Sequence, residues 1–185
     1  MQEREERCPM TKYEELVQAA EEGRENWIRR HESSTRFIYQ LLFRFRQACE
    51  MPEERLQILP WDNKAERFKT DAAPLTAVLS SSRYDLANDN WQAGVVVYFN
   101  PDNHFPRLYA TFVLFVTEND HRFAVKIGEP GKPHSIDLNV QPQAQEFFNT
   151  FTKVLEEALK EPAKKHRVVV HGFAAPVAPE QEAVV

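Results

Sequence analysis

The chain has 185 residues, 42% of them hydrophobic and 28% charged, with a formal net charge of −5, a balance that fits an ordinary globular protein and excludes collagen-like and low-complexity classes. Only five glycines occur, mostly isolated and well under half the usual share of roughly 7%, so the glycine-rich loops that cradle phosphates or dinucleotides are excluded. The negative balance gives no global basic field to attract nucleic acid.

Residues 1–10 alternate in charge, end in Cys8-Pro9-Met10 and read as a disordered leader. Thr11 with Glu14 has the spacing of a capping box and predicts a helix start. Leu16, Val17, Ala20, Trp27 and Ile28 form a first apolar patch, and Phe37, Ile38, Leu41, Leu42 and Phe45 a second with helical spacing. A break is expected between them, at Gly23 or at Ser33-Ser34-Thr35, because nearly forty residues is long for one helix.

Residues 11–58 are therefore expected to be helical, closing with a short turn over Glu53 to Ile58 between Pro52 and Pro60. Residues 59–73 read as a connector with little regular structure and as the best candidate for a long functional loop. The pattern then changes to strands across residues 75–140: Leu75 to Ser81, Trp91 to Phe99, Arg107 to Thr117, Arg122 to Gly128 and His134 to Val140, joined by turn-rich segments. Short turns imply an antiparallel meander of five strands.

Alternation shows which faces are apolar. Leu108, Ala110, Phe112, Leu114 and Val116 share one face of the third strand, yet Tyr109, Val113 and Phe115 make its other face apolar too, and Val96 and Tyr98 do the same on the second strand. Such a sheet needs cover on both sides. The amphipathic helix expected over residues 143–160, with Phe147, Phe148, Phe151, Val154, Leu155, Ala158 and Leu159 on one stripe, supplies one cover. The second is the first helix, another protomer or a ligand. Val168-Val169-Val170 is a candidate edge strand, and the tail over residues 174–185 is expected to be disordered. The fold class is thus α+β: an N-terminal helical segment, a five-stranded antiparallel meander and a C-terminal amphipathic helix packed across the sheet, as a single domain over residues 11–173.

The six histidines have no spacing that places two metal ligands on one helical face, and no nucleophile elbow is present, so no catalytic residue, metal site or cofactor is expected. Cys8 and Cys49 are too few for a disulfide framework and read as reduced thiols. No apolar run reaches 18 residues and the polar start lacks a signal-peptide core, which makes a cytoplasmic setting the expectation.

The side chains that stand out are aromatic and basic. Trp27, Arg36, Tyr39, Phe43, Arg44 and Arg46 of the first helix, with Tyr109 and Phe115 of the second sheet face, are the candidate partner-binding residues, since interfaces favour Arg, Tyr, Phe and Trp. The function expected first is therefore a non-catalytic interaction or accessory protein that binds a protein partner, or itself as a homodimer. The alternatives are a single-strand nucleic-acid binder using the same Arg/aromatic stripe and a small-ligand pocket or enzyme between sheet and helix.

Overall fold

The computed structural model describes residues 11–100, 107–119, 122–129, 131–162 and 168–171. The expected leader and tail, Cys8, the basic run at 164–167 and three histidines, His104, His121 and His166, lie outside them. The chain divides into two compact units, Met1–Ser33 and Ser34–Val185.

One helix, α1 (Lys12–Ala48), covers both places where a break was expected. Gly23 has nothing within 4 Å of where a Cβ would stand, so it costs the helix about 1 kcal/mol relative to alanine without interrupting it. Ser34 and Thr35 are buried, and packing outweighs their modest helix propensity.

In the first unit the capping box forms as expected. The Thr11 amide donates to Glu14 Oε2 at 2.7 Å and the Glu14 amide donates to Thr11 Oγ1 at 3.3 Å. The Thr11 amide and hydroxyl hold the Glu14 carboxyl below its ordinary range. A depressed carboxylate contributes fully above the ordinary glutamate range and loses that contribution as pH falls through the lowered value. Circular dichroism between about pH 5 and pH 2 should show a loss of helix signal that is smaller in Glu14→Gln, which keeps an acceptor but cannot titrate. Equal losses in the two proteins would refute this role.

In the second unit, the rest of α1 buries Phe37, Ile38, Leu41, Leu42 and Phe45. It ends in a left-handed turn, with Glu50 at φ 50° and the Met51 amide donating to Arg46 O at 2.9 Å. Only Glu53–Arg55 of the expected turn is helical, as a 3₁₀ turn; Leu56–Leu59 is a strand, β1, because Leu56 and Ile58 alternate into the core. The connector holds a small hairpin, β2 (Trp61–Asp62) with β3 (Arg67–Phe68). The expected strand at Leu75 to Ser81 is instead a 3₁₀ turn, Leu75–Ala77, followed by a short helix, α2 (Val78–Ser81). Leu75, Val78 and Ser81 are buried at three-residue spacing, a helical period that β-branched content disguised.

Among the described residues the main sheet is antiparallel and has seven strands rather than five. Its centre is β5 (Asn90–Tyr98) paired with β6 (Tyr109–Asn119). Each long strand has two short neighbours on its outer edge. β1 and β4 (Arg83–Asp85) pair with β5, while β7 (Arg122–Ile127) and β9 (Val169–His171) pair with β6. β8 (His134–Ile136) closes the β7 side and is shorter than expected, because Asp137 turns the chain by accepting from the Asn139 amide at 2.8 Å.

The last helix, α3 (Gln141–Lys160), lies on the face formed by Phe112, where Phe151 meets Phe112 edge-on at 4.8 Å. α1 packs on that same face: Phe45 lies 4.3 Å from Phe151, and Phe37 stacks on Phe123 at 4.0 Å. Within the second unit both helices therefore share one core, and among its described residues no helix covers the second face.

Candidate functional site

Strand alternation builds the site on that second face. Trp91, Ala93, Val95 and Val97 of β5 are buried toward the helices, so Gln92, Gly94, Val96 and Tyr98 point away from them. On β6 the outward set is Tyr109, Thr111, Val113 and Phe115. The register sets Tyr98 opposite Tyr109, Val96 opposite Thr111, Gly94 opposite Val113 and Gln92 opposite Phe115. These four rows line an open groove of about 810 Å³, within the roughly 300–1,000 Å³ of ligand sites, and they extend over about 20 Å at the usual rise per residue.

The walls come from segments outside the meander. On one side β9 places Val169 beside Thr111 and His171 beside Tyr109. The wall continues at Gly128, whose amide donates to Val113 O at 2.9 Å and whose φ of 64° turns β7 away from the sheet. On the other side the β2–β3 hairpin seats Phe68 over Gly94, so closely that a Cβ on Gly94 would stand 2.6 Å from Phe68 Cδ1. Trp61 meets Phe68 edge-on at 5.0 Å, and the Arg83 guanidinium covers Trp61 at 4.2 Å. The hairpin turn is fixed by Asp62, which accepts from the amides of Lys64 and Ala65 and is held below the usual aspartate range by them.

The two ends differ in chemistry. At one, Arg107 lies over the Tyr98 ring at 5.2 Å, Tyr98 adjoins Tyr109 at 5.7 Å, and Tyr109 stacks on His171 at 4.5 Å. At the other, the Lys126 ammonium covers the Phe115 ring at 4.5 Å. Thr111 Oγ1 and His171 Nε2 are 3.1 Å apart, a hydroxyl–imidazole pair. Among the described residues no carboxylate is bonded to the other ring nitrogen, as an oriented nucleophile–base pair would require.

The candidate binding residues fall into separate places. Tyr109 and Phe115 stand in the groove. Tyr39 and Phe43 are half-buried against the core and stack at 5.9 Å. Arg46 covers Phe43 at 5.0 Å and pairs with Glu53 at 3.4 Å. Arg44 donates to Leu138 O, and Arg36 is exposed. Trp27, in the first unit, is half exposed and stacks on His31. Sequence reasoning missed Phe68, Lys69, Arg107 and His171, which reach the groove from outside the strands that form its floor. Two signals were available: Gly94, a glycine inside a strand, which marks close approach by another group, and the 59–73 connector, the candidate functional loop, which holds Phe68 and Lys69.

Cys49 lies just past the end of α1, where burial pushes its thiol up and the Thr152 hydroxyl partly offsets this. Among the described residues no three His, Cys, Asp or Glu side chains converge as a metal site, and no helix is long and apolar enough to cross a membrane. Comparison with family models, curated proteins and solved structures finds no match to this chain.

Proposed function

We infer that this chain is a non-catalytic binding protein whose site is the groove on the second face of the sheet. The observation that carries this reading is that both helices occupy one face and leave an aromatic and aliphatic groove on the other. Val96 is 1% exposed there although it lies outside the helical core, so protein already closes over that point, and the surface left to an apolar ligand is that of the partly exposed Tyr98, Tyr109, Val113 and Phe115. The α1 residues support a nucleic-acid site less well, since Tyr39, Phe43, Arg44 and Arg46 already have intramolecular partners. The test is a polarity-sensitive apolar dye: enhanced fluorescence with the protein, lost in Gly94→Val, supports the groove as the site. Undiminished enhancement in the variant overturns it.

A second reading, self-association, draws on the first unit. Tyr13, Leu16, Val17, Trp27 and Ile28 are exposed large apolar residues, and at 100° per residue they fall within an arc of about 120°. A stripe of that width normally packs on something. Association with a second copy of the chain predicts a concentration-dependent sedimentation coefficient that Leu16→Glu with Trp27→Glu abolishes. A monomer up to about 100 μM removes this reading.

A further inference from the structure

We propose that the β2–β3 hairpin is a hinged lid, which swings off the groove to admit an apolar ligand and closes over it. This rests on reading the groove as a ligand site. The hairpin is stiff within itself. Lys69 donates its amide to Pro60 O at 2.7 Å across the base, Asp62 accepts from the amides of Lys64 and Ala65 at the turn, and Trp61 meets Phe68 edge-on at 5.0 Å. It forms a two-stranded sheet of its own, apart from the seven-stranded one.

Its ties to the rest of the molecule are few. Among the described residues no hydrogen bond or ion pair joins residues 61–68 to the main sheet, and none of residues 60–70 is buried. Low burial and few outside bonds place a segment at the low end of local stability. The Phe68 ring on Gly94 and the Arg83 guanidinium over the Trp61 ring at 4.2 Å hold it down. The first contact is a ring resting on bare backbone, and it can lift without unpacking the helical core, because Phe68 and Gly94 both lie outside that core. The second is a latch, since β4 holds Arg83 to β5 in register with Gln92. Hinges stand at both ends. Ile58 and Ala73 exchange backbone bonds at 2.9 and 2.7 Å and pin the chain at β1. Pro60 on one side, and residues 70–72 outside any helix or strand on the other, are left to absorb the rotation. Phe68, Lys69 and Thr70 line the groove, so lifting the hairpin widens it and bares Gly94.

Stopped-flow mixing with excess apolar dye tests the lid. An opening step makes the observed rate level off as dye concentration rises. Arg83→Gln, which removes the latch, should lift that plateau about threefold, the size of an exposed cation–π contact. Arg122→Gln, an exposed arginine on β7 outside the groove lining, should leave the plateau where it is. Trypsin gives an equilibrium readout through the exposed Lys64, Arg67 and Lys69. Cleavage after them, identified by fragment mass, should be slowed by saturating dye and quickened about threefold by Arg83→Gln. A rate that stays proportional to dye concentration, or a plateau and a cleavage rate that Arg83→Gln leaves unchanged, overturns the lid and leaves the groove standing. If the dye does not bind the native protein, the groove reading fails and the lid with it.

Discussion

Phe151→Ala is expected to lower the unfolding free energy by about 3–5 kcal/mol and the thermal midpoint by on the order of 10 °C. Phe151 is fully buried and sits where three elements meet. Its ring lies 4.3 Å from Phe45 of α1, 4.8 Å from Phe112 of β6 and 6.0 Å from Phe147 on its own helix. Truncation removes the contact that ties both helices to the sheet, and neighbours already held by their own backbones cannot all collapse into the space. Phe45→Ala should cost a similar amount. The double variant should cost less than the two together, because the rings share one contact. Urea titration followed by circular dichroism measures all three; a Phe151→Ala loss under about 1 kcal/mol would mean that the two helices are held to the sheet in some other way.

The core was legible in the sequence because its two periods are clean. Phe37, Ile38, Leu41, Leu42 and Phe45 keep a helical spacing, and Ala110, Phe112, Leu114 and Val116 keep the alternation of a strand. The short strands were not legible: Leu56–Leu59 has only four residues, and β2 and β3 have two each, too few for a period to show. Tyr109, Val113, Phe115, Val96 and Tyr98 marked a second apolar face without disclosing what lies over it. That depends on contacts between distant segments, such as Phe68 on Gly94 and His171 on Tyr109, which no local pattern encodes. The same limit explains α1: its aromatic and basic side chains have an interface composition, yet Arg46 is satisfied by Glu53 and Phe43, and Arg44 by Leu138 O.

Gly94→Val should abolish dye binding in the groove while costing about 1–3 kcal/mol of stability, the usual range for overpacking. At this position even the first added carbon meets Phe68 Cδ1 at 2.6 Å, Phe68 Cγ at 2.7 Å and Leu59 Cβ at 3.0 Å. Leu59 is on β1, in register with Gly94 across the sheet, and has little room to yield. Phe68 belongs to a two-residue strand in a hairpin with only Trp61 and Asp62 as its ladder partners, so the ring is the part that moves. The valine side chain then occupies the middle of the floor, and the hairpin wall loses its seat. Phe68→Ala separates these two effects. In the Gly94→Val/Phe68→Ala pair the two contacts with the Phe68 ring are gone and only the one with Leu59 Cβ remains, so the stability cost of the valine should fall, giving a coupling on the order of 1–2 kcal/mol. Dye binding should stay lost, because the valine still fills the floor between Val96 and Gln92. Recovery of binding in the double variant would instead assign the site to the hairpin wall, and additive stability costs would mean that Phe68 does not rest on Gly94 in solution.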